Sequence, residues 1–144
     1  MTQDPTRRDT LPASAEAWRG RVLVAEDDRE LSVLLGLALE LEGWTVDRVY
    51  DGEELIDALA ACHGDLPDVV VTDVRMGGAS GIDVLASHRP DAPVLVMSAF
   101  MDDALARASI ELGASAVLAK PFDLDVLVAL VATLAREHAR SSDA

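Results

Sequence analysis

The sequence predicts an α/β fold, a doubly wound parallel sheet of five strands with helices on both faces. Three observations carry that prediction. Apolar runs of strand length alternate with helical patterns five times along the chain. The inner runs are apolar almost without interruption, as in "DVVVTD" and "APVLVMSA", which suits strands covered on both sides. The 144 residues, half of them hydrophobic, suffice for one domain with a sizeable core. Aromatic residues make up only 3% of the chain, so Val, Leu and Ala must build that core.

Each element has its own signal. Residues 21–25, "RVLVA", form a short β-branched strand. Residues 30–43 place leucines at 31, 34, 35, 39 and 41, near helical spacing, and end on Gly43, a natural helix stop. Residues 44–49, "WTVDRV", alternate like an edge strand. Residues 52–64 are helical and end on Gly64. Residues 68–73 are a buried strand, 81–88 a short helix, and 92–99 another buried strand. Residues 102–113 form a helix whose acidic first turn suits the helix dipole. Residues 115–120 form the fifth strand, and 123–140 the last helix, opened by Asp123. Residues 1–19, rich in Pro, Thr, Asp and Arg, read as a flexible tail in which Trp18 packs back or stays exposed. The domain then spans 20–140, with 141–144 a disordered C-terminus.

Charge and composition narrow the function. A formal net charge of −14 opposes direct binding to nucleic acid or to an anionic membrane. No apolar run reaches the roughly 20 residues of a membrane span. Cys62 is the sole cysteine, so no internal disulfide forms and an oxidising compartment is not indicated. A cytoplasmic protein that meets other proteins is the expectation.

Sheets of this kind bind ligands outside the carboxyl ends of their strands, where strand order reverses. The expected strand ends carry Glu26-Asp27-Asp28, Asp73, Ser98 and Lys120-Pro121. Crowded carboxylates repel one another, and burial raises their pKa values unless a cation intervenes. Mg2+ is a suitable cation, because it takes oxygen ligands, keeps waters and accepts a phosphate oxygen. Lys120 adds a positive charge able to pair with Asp73 or a phosphoryl group, and Ser98 adds a hydroxyl. Such a set can hold a phosphoryl group, and Asp73 can serve as a nucleophile that forms an acyl phosphate. Taken singly, these residues have plainer readings. Glu26-Asp27-Asp28 can be a helix N-cap cluster, Asp73 a strand-end cap and Lys120-Pro121 an ordinary strand exit.

The pieces "VLVAEDD" (22–28), "DVVVTDVRM" (68–76), "GIDVL" (81–85), "VLVMSA" (94–99) and "ELGASAVLAKPF" (111–122) together resemble the receiver domains of two-component response regulators. The resemblance covers about residues 20–138. It implies a flavodoxin-like (βα)5 fold with strand order 2-1-3-4-5. It implies that Asp73 is the phosphoacceptor, served by a phosphohistidine on a histidine kinase or histidine phosphotransferase. Glu26 and Asp27 match the acidic pair that binds Mg2+, Asp27 directly and Glu26 through water. Asp28, one position further on, is then exposed and is the helix cap. The Arg75 backbone carbonyl completes the protein's share of the metal shell. Ser98 moves toward the phosphoryl group and reports it, Lys120 holds a phosphoryl oxygen, and Pro121 fixes the turn, in this family often through a cis bond.

Three positions depart from the family pattern. Gly77 stands where a proline is usual and Ser80 where an acid is usual, so a mobile loop over 76–80 is expected. Val117 replaces the aromatic whose inward flip transmits the signal, and Phe100 is the nearest substitute. Arg75 and Phe100 fill the two variable positions flanking the phosphoryl site, where bulk should shield the acyl phosphate from water and slow self-dephosphorylation.

Two readings of function follow. The first is a phosphorylation-dependent switch, not an enzyme in the ordinary sense, that docks on other proteins or passes its phosphoryl group along a phosphorelay. The second is a phosphate-independent interaction module with an unused site. A phosphatase of the aspartyl-phosphate kind would want an aspartate where Arg75 stands. About 20 residues follow Lys120, room for the last helix only, so a stand-alone, chemotaxis-regulator-like receiver is expected if the chain is whole. In the last helix Leu124, Leu127, Val128, Val131 and Ala135 make the expected core face. Val126, Ala129 and Leu130 fall opposite, where they would serve a downstream target or a homodimer on the face built by the fourth helix, fifth strand and last helix. Singly exposed apolar residues are also ordinary. His63, His88 and His138 read as surface residues near helix ends, and Met76, Met97 and Met101 as packing residues. "MGGASG" lacks the lysine of a P-loop.

Overall fold

The structure is a computed structural model that describes residues 20–61, 66–88 and 90–143. The tail over 1–19 with Trp18, and Cys62, His63 and the expected helix stop at Gly64, lie outside those residues. Five strands, β1 (Gly20–Ala25), β2 (Trp44–Val49), β3 (Val69–Asp73), β4 (Val94–Ser98) and β5 (Ala116–Ala119), alternate with five helices. The helices are α1 (Arg29–Leu41), α2 (Gly52–Ala60), α3 (Gly81–His88), α4 (Asp103–Glu111) and α5 (Leu124–Asp143). The strands form one parallel sheet in the order β2-β1-β3-β4-β5.

Side chains alternate across this sheet with a period of two and so supply two cores. Val22, Val24, Val69, Val71, Leu95 and Met97 face one way, against Leu35 and Leu39 of α1 and Leu127 and Val131 of α5. Leu23, Val70, Val94 and Val96 face the other way, against Leu55 of α2 and Val84 and Leu85 of α3. Both inner strands, β3 and β4, are buried along their whole length. β2 is an edge strand with half of its positions exposed, as its alternating sequence predicts.

Aspartates start three of the helices. Asp28 accepts from the backbone N–H groups of Glu30 and Leu31, Asp51 from that of Glu54, and Asp102 from that of Leu105. After α1 and α4 the chain turns through Gly43 and Gly113, at φ of 99° and 117°, which a side chain would resist. α2 closes earlier than its sequence suggests. It ends at Ala60, and Ala61 caps it by donating its N–H to the Asp57 carbonyl. α5 continues to Asp143, where the sequence reading closes the domain at 140.

One helical face differs from expectation. On α5, Leu130 packs against the core instead of standing opposite it, and Leu134 is buried there too. The apolar stripe is broader than the set drawn from the sequence, because α5 leans on both the sheet and α1. Val126 and Ala129 remain exposed. On α1, Leu35 and Leu39 are the fully buried leucines, with Ser32 and Gly36 buried beside them, while Val33, Leu34, Leu37 and Leu41 face solvent. Met97 is buried, and Met76 and Met101 pack at the margin of the second core, all as expected. His88 is exposed and His138 half-buried. Among the described residues no helix is long and apolar enough to cross a membrane.

Candidate functional site

From β1 the chain crosses to β2 on one side and then to β3 on the other. Strand order therefore reverses between β1 and β3, and the crevice at their carboxyl ends is the place for a ligand. Asp73 is the last residue of β3, Ser98 the last of β4, and Glu26 and Lys120 each follow a strand directly. Backbone bonds hold these ends in place. Glu26 N–H donates to the Val49 carbonyl at 3.1 Å, Val74 N–H to Met97 at 2.9 Å, and Lys120 N–H to Ser98 at 2.9 Å. The first residue of α3 locks the end of β3 from behind. A Cβ on Gly81 would meet the Asp73 carbonyl oxygen, and Gly81 N–H donates to the Val74 carbonyl at 3.0 Å.

Lys120 is the hub of the charges. Its Nζ donates to Asp73 Oδ2 at 2.5 Å and to Glu26 Oε1 at 2.7 Å. Both acceptors are almost wholly buried, and the lysine side chain is only 17% exposed. The free oxygens find backbone donors. Asp28 N–H donates to Glu26 Oε2 at 3.0 Å, and Arg75 N–H to Asp73 Oδ1 at 3.1 Å. Burial pushes the Glu26 carboxyl up to about 6, more than the Lys120 and Asp28 hydrogen bonds lower it. Burial also works against the Lys120 ammonium, but its hydrogen bonds to Asp73 and Glu26 outweigh that and hold its pKa above the ordinary lysine value.

Glu26, Asp27 and Asp73 each offer a carboxylate oxygen, and the three oxygens lie within 4.8 Å of one another. Glu26 and Asp73 are buried and Asp27 is exposed, so the set opens to solvent on one side. Hard oxygen donors clustered beside a solvent opening match what Mg2+ takes. Asp28 stands apart as the exposed cap of α1.

The structure thus brings together Glu26, Asp27, Asp73 and Lys120. Ser98 is 1% exposed, and its Oγ accepts from Phe100 N–H at 3.0 Å. Lys120-Pro121 is a cis peptide. The Arg75 guanidinium lies over the Phe100 ring, 4.8 Å from its centroid, and both side chains are exposed. Val117 packs into the second core. A Cβ on Gly77 would meet nothing within 4 Å, while its carbonyl accepts from Gly52 N–H at 3.0 Å.

Sequence reasoning overlooked three features. It gave Lys120 one carboxylate partner where there are two. It passed over Gly52, where a Cβ would fall 1.7 Å from the Ala79 carbonyl oxygen, so the loop over 74–80 lies directly on the start of α2. A glycine opening a helix after an Asp cap was the available signal. It also missed an open apolar groove of about 520 Å³ beside the site, lined by Leu31, Leu34, Ala99, Lys120, Pro121 and Phe122.

A five-stranded sheet in this order, with an acidic pair, a strand-end aspartate and a lysine at one edge, defines the receiver class. The family model of the response regulator receiver domain matches residues 22–132. The chain belongs to that family. It is 35% identical over 127 residues to Response regulator MprA of Mycobacterium avium (strain 104), a match over 86% of this chain and 54% of that protein. The chain therefore spans about half the length of that relative. Among solved structures it resembles the Francisella response regulator 1452 receiver domain, with TM-score 0.77 and 26% identity over 83% of this chain and 98% of that one. It also resembles a response regulator from Burkholderia pseudomallei with a phosphorylated aspartic acid, calcium ion and citrate. That likeness has TM-score 0.72 and 26% identity, over 88% of this chain and 74% of that one.

Proposed function

We propose that this chain is a phosphorylation-dependent signalling switch, with Asp73 as the phosphoacceptor. One observation carries the reading: Lys120 joins Asp73 to Glu26 while an Asp27 oxygen lies within 4.8 Å of both carboxylates. The phosphorylated aspartic acid of the Burkholderia relative supports it. In the transfer, an Asp73 carboxylate oxygen attacks the phosphorus of a partner's phosphohistidine. The P–N bond breaks as the P–O bond forms, and the leaving imidazole takes up a proton. Lys120, already 2.5 Å from Asp73, holds a phosphoryl oxygen. Rigid strand ends matter here, because in-line transfer depends on positioning. Glu26, Asp27, Asp73 and the Arg75 carbonyl would hold Mg2+, which when bound offsets the charge of the carboxylates and phosphoryl oxygens.

The phosphodonor, a histidine kinase or histidine phosphotransferase, docks in this reading beside α1. Leu34 is half exposed and lines the groove that Lys120 closes, and Val33 and Leu37 continue that apolar face along the helix. The acidic chain then meets its downstream target on the α4–β5–α5 face, or hands the phosphoryl group on.

The experiment is incubation with Mg2+ and acetyl phosphate, followed by assay for an acid-stable, base-labile phosphate. Asp73→Ala should abolish it. Once formed, the acyl phosphate should decay slowly behind the bulk of Arg75, and a half-life of seconds would contradict the shielding. No incorporation, together with no response to beryllofluoride, would favour the phosphate-independent module.

A further inference from the structure

We propose that Arg75 leaves the Phe100 ring to hold the phosphoryl group on Asp73, and that the freed Phe100 is this chain's signal. The inference rests on Asp73 phosphorylation and names the device that reads it.

Phe100 is tied at two points. Its ring carries the Arg75 guanidinium at 4.8 Å, and its backbone N–H donates to Ser98 Oγ at 3.0 Å. Each tie ends on a group that a phosphoryl dianion would claim. Arg75 lies two residues beyond Asp73, and its own N–H already reaches Asp73 Oδ1. A guanidinium presents a planar fork of donors that matches phosphate oxygens. Charge-assisted bonds of that kind outweigh a stack on an exposed ring. The Ser98 hydroxyl sits buried at the end of the strand beside β3. Turning it toward a phosphoryl oxygen takes away the acceptor of Phe100 N–H.

Both ties therefore break in the same event. Phe100 is 65% exposed while tied, so its release needs no opening of the core. Val117 cannot share this task, because it is aliphatic and packs into the second core from β5. The pair also joins the loop after β3 to the loop after β4, so a charge placed on Asp73 moves both loops together.

The test is NMR of the full chain with labelled phenylalanine rings, titrated with beryllofluoride and Mg2+. The chain has two phenylalanines, so Phe100→Leu assigns the signals. The expected result is a shift of the Phe100 ring together with the Ser98 amide. In Arg75→Gln the ring tie is already gone while the Ser98 tie remains, so the Phe100 ring should shift less than in the wild type, while the Ser98 amide still moves. A Ser98 shift with the wild-type Phe100 ring unmoved would overturn the inference and leave phosphorylation standing. So would a full Phe100 shift in Arg75→Gln. No shift at Ser98 or Phe100 would overturn the functional reading and this inference with it. Both side chains are exposed, so unchanged melting of the variants is expected, and the wild-type titration decides by itself.

Discussion

Replacing Lys120 with methionine removes one ammonium from between two buried carboxylates, and the cost can be worked from the geometry. The Glu26 and Asp73 side chains are 1% and 7% exposed, and each loses a hydrogen bond of 2.7 or 2.5 Å. Deleting one partner of a buried charge pair costs about 3–5 kcal/mol. Protonation sets a ceiling. Keeping one carboxyl neutral at about pH 8, against an ordinary value of 4.5, costs about 5 kcal/mol, and at about pH 5 less than 1 kcal/mol. Lys120→Met should therefore lose about 3–5 kcal/mol at the higher pH, and most of that deficit should vanish at the lower one. The wild type has its own slope. Burial holds Glu26 at about 6 in the folded chain, so the folded state binds its proton more tightly than the unfolded one. Stability from this group is greatest below about 4.5, falls by about 2 kcal/mol as pH rises to about 6, and is level above that. Urea denaturation of both proteins across this range, without divalent ions, measures both effects. Mg2+ added at the higher pH should restore much of the variant's loss by binding the folded state alone. A deficit under about 1 kcal/mol at high pH, or one that is the same at both pH values, would refute the reasoning.

Two glycines that look alike in sequence should respond in opposite directions. Gly52→Ala gains helix propensity but drives a Cβ to 1.7 Å from the Ala79 carbonyl, so a net loss of about 1–3 kcal/mol is expected in thermal or urea melts. Gly77→Ala meets open space at an ordinary backbone angle and should stabilise by about 0.4–1 kcal/mol in the same assay. In hydrogen exchange, the amides over 76–79 should exchange fast, while those of Gly52 and Gly81, bonded to Gly77 and Val74, are protected. Strong protection over 76–79 would contradict a mobile loop. Val126→Asp, at a position 45% exposed on α5, should leave the melting temperature unchanged and weaken target binding or self-association. If neither association changes, α5 is not the docking face.

Much of the sheet and its charged edge was legible because few patterns make them. A valine run ending in Asp73 and a strand ending in Lys120-Pro121 leave little choice of element, and parallel topology then places the charges on one edge. The helices were less legible. Leucines at 34, 35, 37, 39 and 41 all fit a helix, but only the packing shows that 35 and 39 face the sheet while 34, 37 and 41 do not. On α5 the assignment of Leu130 failed for the same reason. A wheel drawn around one neighbour omits the second surface, here α1, that widens the stripe. Contacts between loops, such as Arg75 with Phe100, depend on backbone paths that no periodicity encodes.

The loop after β3 shows where those limits matter. Gly77 in place of proline predicts freedom along the whole segment, yet both its ends are anchored. Val74 accepts from Gly81 N–H, Gly77 accepts from Gly52 N–H, and a Cβ on Gly52 or Gly81 would strike the adjoining backbone. The freedom that glycine gives is thus confined to a few residues between fixed points. Arg75 lies within that span, directly after the anchored Val74. A phosphoryl group on Asp73 can therefore draw its guanidinium inward by moving the loop locally, while the strand end that positions Asp73 stays where the sheet holds it.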